Sequence, residues 1–150
     1  MKTLLTHREK PAIKMGNAGT PKGNPMLANR NAMPTIAVKD LAVAKKFYEG
    51  KLELTPLESG EEDVLTYQSG TATLVVYVSQ FAGTNQATAC TWAVGDEFDA
   101  ILAALKGKGV VFEHYDLPGL TREGDAQVAG DFKGAWFKDP DGNILHILNR

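Results

Sequence analysis

One histidine, His146, stands in the run Ile144-Leu145-His146-Ile147-Leu148, where both faces of a strand would otherwise be apolar. Three roles fit an imidazole placed there: a half-buried group bonded to a backbone carbonyl, a polar anchor in an apolar pocket, or a general base. Glu113 and His114 are neighbours on a strand, so they point to opposite faces and only one can enter a cleft. A carboxylate and an imidazole from two strands make an acid–base pair; the other reading is a pair of surface residues near a strand end. Trp136 and Tyr67 are the aromatic candidates for a ligand face. Trp92 shares parity with Cys90 and Val94 and is expected under a helix, and Tyr77 and Phe81 read as core. Cys90 is the only cysteine, so it has no internal disulfide partner and reads as a small core hydrophobe. Arg122, in the loop from Asp116 to Asp125, suits an anionic substrate or an exposed salt bridge. There is no glycine-rich phosphate loop, no paired-cysteine motif and no Gly-x-Ser-x-Gly elbow.

The elements that must place these groups repeat. Pro34 to Val38 is β-prone, Asp40 can cap a helix over Leu41 to Lys51, and strands follow at Glu53 to Leu57, Asp63 to Gln68 and Ala72 to Ser79. Ala37-Val38-Lys39-Asp40 matches Ala93-Val94-Gly95-Asp96 at an offset of 56, and Ala44 falls on Ala100. Asp96 is then expected to cap a second helix to about Lys106, ended by Gly107 and Gly109. Strands are predicted at Val110 to Tyr115, Gly134 to Lys138 and Ile144 to Asn149. Gly70 pairs with Gly142 at an offset of 72, so the second copy carries 16 more residues, assigned to an irregular loop around Asp116 to Gly130. Such a loop is a candidate lid. The sequence therefore predicts an α+β fold of two βαβββ modules, about 33–85 and 86–150, after an irregular flexible extension over 1–32. Each helix covers one face of its sheet, so the other face needs a partner, and two curved sheets facing each other enclose a cleft.

Charge narrows the partners. The net charge of −2 divides into +5 over residues 1–32 and −7 over the remainder. An acidic body is a poor match for nucleic acid. No run approaches 18 apolar residues, and no apolar stretch of signal-peptide length precedes a cleavage site, so a soluble cytoplasmic protein is expected. The basic extension reads as solvated, with an arm docking on an acidic partner as the alternative.

Ile36-Ala37-Val38-Lys39-Asp40-Leu41, followed by Ala44 and Phe47-Tyr48, resembles the opening of a vicinal oxygen chelate protein. That superfamily contains glyoxalase I, bleomycin-resistance proteins and extradiol dioxygenases. Trp136-Phe137-Lys138-Asp139-Pro140-Asp141-Gly142-Asn143-Ile144 resembles its last hairpin. The segment from Phe81 to Gly119 resembles a bacterial branch of it. Taken alone, the Asp-Pro-Asp-Gly-Asn turn is structural, with Pro140 and Gly142 setting its dihedrals.

The resemblance implies metal ligands on the first and last strand of each unit. Here those positions hold Met33 with Thr35 next on the same face, Ala89 with Thr91, and Leu74 with Val76. Only the closing strand offers a ligand, His146, where a glutamate is common. One imidazole does not hold a catalytic ion, so neither a metal nor another cofactor is expected. What the resemblance implies is a small-molecule-binding homodimer of the glyoxalase/bleomycin-resistance type, without a membrane partner. Its largely apolar cleft would take an organic ligand between His146, Thr35, Tyr67, Val76, Thr91, Glu113 and Trp136. The alternatives are a lyase, isomerase or dioxygenase with His146 as the catalytic candidate, and a non-catalytic interaction module.

Overall fold

Alternation in Thr35–Val38 buries Ile36 and Val38 and leaves Thr35 outside, which makes the segment strand β1. Asp40 then caps α1 (Leu41–Lys45) as expected, its carboxylate accepting from the N–H of Ala42 at 2.7 Å and of Val43 at 3.2 Å. The helix widens into a π turn over Lys46–Lys51, whose consecutive Phe47 and Tyr48 are both buried. Strands β2 (Thr55–Leu57), β3 (Val64–Ser69) and β4 (Ala72–Val78) complete a sheet of order β1-β4-β3-β2, with β1 parallel to β4.

The structure is a computed structural model that describes residues 26–150; the basic residues before Arg30 and most of the extension expected over 1–32 lie outside the described residues. Residues 26–31 carry a single 3-10 turn, Leu27–Asn29. Among the described residues no helix is long and apolar enough to cross a membrane.

The second module repeats the plan with β5 (Thr88–Ala93), α2 (Phe98–Gly107), β6 (Phe112–Glu113), β7 (Thr121–Glu123), β8 (Ala126–Ala129), β9 (Phe132–Lys138) and β10 (Ile144–Leu148). Its sheet runs β5-β10-β9-β8-β7, with β5 parallel to β10 and β6 also paired to β9. Three expectations change. Asp96 caps nothing, because Gly95–Glu97 forms a 3-10 turn and α2 follows Glu97. The supposed irregular loop contains the β7–β8 hairpin, turned at Gly124 with φ +62°. Tyr77 and Phe81, read as core, are 37% and 68% exposed: Tyr77 lies on the outward parity of β4, and Phe81 follows that strand's end.

The modules share one core. Ile36, Val38, Leu74 and Val76 from the first sheet and Ala135, Phe137, Leu145 and Ile147 from the second join Phe47, Tyr48, Phe98 and Leu105 of the helical segments. The Phe47 and Phe137 rings meet across the junction, 6.4 Å between centroids. The modules therefore meet through their helix-bearing faces, and the opposite faces of both sheets are not part of this core.

The Asp139-Pro140-Asp141-Gly142-Asn143 turn latches the junction. Buried Asp139 accepts from the Tyr48 hydroxyl at 2.8 Å, from Asn143 Nδ2 at 2.7 Å, and from the N–H groups of Asn143 and Asp141 at 2.9 and 3.0 Å. Asn143 Nδ2 also donates to the Ala37 carbonyl at 2.8 Å, and the Lys39 N–H donates to Asp141 at 3.3 Å. Burial, with Asp139 beside it, holds the Tyr48 proton far more tightly than an ordinary phenol. Tyr48→Phe removes one hydrogen bond to a buried carboxylate and is expected to cost about 2 kcal/mol in urea unfolding. A loss below about 0.5 kcal/mol would mean the latch does not bear on stability.

Candidate functional site

The outward face of the second sheet is built by register. His146 on β10 lies opposite Trp136 on β9 and Thr91 on β5, and Trp136 lies opposite Glu113 on β6. Four of the residues expected in the site thus share one face. The imidazole stacks on the indole, 4.2 Å between centroids and 17° between planes. Its Nδ1 is 3.3 Å from Thr91 Oγ1. His114 points the other way and bonds Asp125 at 3.0 Å, leaving Glu113 as the member of that pair on this face.

The remaining expected residues lie elsewhere. Thr35 holds the corresponding outward position on β1, opposite Val75. Val76 and Tyr67 are fully buried in the core cluster rather than in a cleft, since they occupy the inward parity of β4 and β3. Tyr67 stacks on Tyr48 and its hydroxyl donates to Glu49 at 3.2 Å. Trp92 is on the helix side as expected and donates to Ser69 at 2.8 Å. Cys90 also faces that side, and burial raises its thiol, which keeps it inert. Arg122 is exposed and donates to the Gly124 carbonyl at 2.9 Å.

Three polar side chains around the His146 face are buried without a partner: His146 at Nε2, the Gln127 amide at both atoms, and the Tyr115 hydroxyl. Gln127 lies opposite Gly134, which shares the face of Trp136. Tyr115 stands edge-on to Trp136, 6.0 Å between centroids. Gly134 is required by this arrangement: a Cβ there would come within 2.8 Å of His146 Nε2 and 2.9 Å of the Phe132 ring. Nothing in the sequence singled out Gln127, Tyr115 or Gly134. Gln127 and Gly134 converge only through the β8–β9 pairing, and β8 was hidden inside the supposed loop; Tyr115 reaches Trp136 from the chain after β6. Each orphaned group costs about 1–3 kcal/mol until water or a ligand meets it. A cavity of about 440 Å³ opens at Trp136, lined also by Gln86, Thr88, Tyr115, Leu117 and Ile144.

The groups packed around the indole are neutral, and the charges nearby are the carboxylates of Glu113 and Asp116. Burial lowers the His146 pKa to about 4, so the imidazole is uncharged at neutral pH. Burial, and after it Glu113, holds the Tyr115 phenol above its ordinary range, so it remains a donor.

A family model described as the Glyoxalase/Bleomycin resistance protein/Dioxygenase superfamily matches residues 31–147. The chain belongs to this superfamily. Among solved structures, this superfamily member is similar to a glyoxalase family protein from Enterococcus faecalis, at 21% identity and TM-score 0.62, covering 82% of this chain and 99% of the other. It is also similar to the fosfomycin resistance protein FosX from Mesorhizobium loti, at 12% identity and TM-score 0.59, covering 83% and 94%. A glyoxalase/bleomycin resistance protein/dioxygenase from Alicyclobacillus acidocaldarius gives 21% identity and TM-score 0.60, covering 79% and 92%. At these identities the likeness is one of fold. No curated protein matches the chain.

The superfamily's metal has no donor set on this face. The lone imidazole is walled by Trp136, Phe132 and the Gly134 backbone, with a threonine at Nδ1. Among the described residues no three His, Cys, Asp or Glu side chains come together to hold an ion. These residues do not fit a catalytic divalent cation.

Proposed function

We propose that this superfamily member binds a small, ring-bearing organic molecule on the His146 face without a metal ion, in a sequestering or resistance role. The observation that carries the reading is the set of orphaned polar atoms on Tyr115, Gln127 and His146 around the Trp136 indole. A ring in the cavity beside the indole would bond the Tyr115 hydroxyl, which lines that cavity, with His146 and Gln127 on the same sheet face. Asp116 lines the cavity and Glu113 lies on the same sheet face as Trp136, so neutral or cationic ligands are favoured over anions. Two of the similar structures are fosfomycin resistance proteins, which supports a resistance role at the level of the fold. An imidazole with a pKa near 4 is a weak general base at neutral pH, which favours an anchoring role for His146 over the enzymatic alternative.

The cleft needs a second wall, and we propose a homodimer to supply it. The outward face of the first sheet carries Thr35, Val75, Tyr77 and Leu57, the last two 37% and 40% exposed. A second copy laying this face over the His146 face closes both sites at once.

Thermal-shift screening against aromatic and cationic antibiotics is expected to give hits that raise the melting temperature. Trp136→Ala should weaken such a hit by about 1–3 kcal/mol, roughly 10- to 100-fold in Kd. Hits that survive Trp136→Ala unchanged would place the ligand elsewhere. A stoichiometric divalent ion that resists chelation would sink the metal-free reading, and a monomer at binding concentrations would sink the dimer.

A further inference from the structure

The helix side of the modules holds a second cavity, of about 250 Å³, between α2 and the chain that follows the π turn. Its walls are Leu52, Leu54, Trp92, Val94, Ile101 and Phe137. This space is separate from the His146 face, because Trp92 and Phe137 point to the opposite side of the second sheet.

The polar groups at this cavity are donors in surplus. Ser69 accepts from the Trp92 indole at 2.8 Å, and its own hydroxyl proton has no protein acceptor among the described residues. Lys108 is bound to Glu53 at 2.6 Å and to the Gly50 carbonyl at 3.2 Å. Lys51 also lines the space and makes no salt bridge among the described residues. Two ammonium groups against one carboxylate leave the rim at about +1. Glu53 itself is the single non-glycine residue with positive φ, 55°, among the described residues. That conformation costs about 1–2 kcal/mol. It is held while Glu53 meets Lys108 and its neighbours Leu52 and Leu54 both line the cavity.

An apolar interior, an unused hydroxyl donor and one uncompensated cation define a complementary ligand. We propose that this cavity binds an apolar-bodied monocarboxylate, its tail against Trp92 and Ile101 and its carboxylate at Lys51. At roughly 30 Å³ per water-sized group, the space takes about eight non-hydrogen atoms, with the carboxylate at the rim. The ligand bridges the two modules and so stabilises their junction.

Octanoate is the probe, with octylammonium and octanol as controls of equal body. In Trp136→Phe, Trp92 is the only tryptophan and its fluorescence reports the cavity directly. Octanoate is expected to shift that emission saturably and to raise the melting temperature. Octylammonium should do neither, and octanol should bind about tenfold more weakly. Lys51→Glu, on the rim, should cut octanoate affinity about tenfold or more without unfolding the chain. Ala104→Leu, which fills part of the lining, should weaken all binding. No saturable change at millimolar octanoate overturns the proposal, as does equal binding of octanoate and octylammonium, or affinity unchanged in both Lys51→Glu and Ala104→Leu. Since the measurement is made in a Trp136 variant, loss of the ring-bearing ligand from the His146 face leaves this result untouched.

Discussion

Gly83→Ala is expected to destabilise the domain by about 4 kcal/mol, the largest single-residue effect on the fold outside its core. Gly83 has φ +73°, a conformation that costs an alanine about 1–2 kcal/mol. Steric overlap adds the rest. A Cβ at Gly83 would run into the Asp141 carbonyl oxygen and lie 3.1 Å from its carbon. That neighbour is backbone, so no side-chain rotation relieves the contact. The turn cannot retreat either, since Asp139 ties it down with four accepted hydrogen bonds and Asn143 ties it to Ala37. Urea unfolding should show the full loss, and the melting temperature should fall by about 15 °C. Gly60→Ala is the control. Gly60 has nearly the same φ, +67°, but nothing lies within 4 Å of its Cβ position. It should cost only that backbone term, about 1–2 kcal/mol. Equal losses at both positions would show that the latch yields, and that backbone strain alone is being measured.

The same latch shows how far the sequence could be read. Its residues identified a tight turn from local chemistry, and the turn is there. Its larger role depends on Tyr48, 91 residues away, and on Ala37, 106 residues from Asn143. Neither partner has a local signature, so a scan along the chain meets the turn but not the clasp. The duplicated module was legible because Asp40 and the strand alternation act over a few residues. The grouping on the second sheet was legible for a related reason: parity alone puts Thr91, Glu113, Trp136 and His146 on one face once the pairing is known.

Parity also explains the failure in the first sheet. Aligning the two last strands on Gly70 and Gly142 sets His146 against Leu74, with Val76 on the same side. The observed pairing sets Thr35 against Val75 and Thr91 against His146, so the true counterpart of His146 is Val75. The two hairpins differ in length: β3 and β4 turn between Ser69 and Ala72, whereas β9 and β10 turn between Lys138 and Ile144. A glycine-to-glycine alignment absorbs that difference as a one-residue slip, and a one-residue slip exchanges the faces of a strand. Val76, and Tyr67 beside it on β3, were thereby assigned to a cleft when they belong to the core. The outward face of the first sheet instead presents Thr35, Val75 and Tyr77, none of which ligates a metal readily.

Acid should weaken the folded state through His146. Its pKa is about 4 when folded because burial penalises the cation, against about 6.5 in an unfolded chain. Between those values the unfolded chain binds more protons, so stability rises with pH through that window. The contribution is complete above pH 6.5 and is lost progressively as pH falls toward 4. A difference of this size amounts to about 3 kcal/mol. His146→Gln keeps a polar side chain that does not titrate, and its stability should be nearly flat between pH 6.5 and 5 relative to the wild type. The comparison between the two proteins cancels other titrating groups. The imidazole resonances followed by NMR should titrate near pH 4, and a midpoint near 6.5 would mean that the Trp136–His146–Phe132 packing does not exclude water from the ring. A ring-bearing ligand that bonds the neutral imidazole should push the midpoint lower still. A ligand that carries a carboxylate to this face should raise it, and that direction would favour acid–base chemistry over an anchoring role.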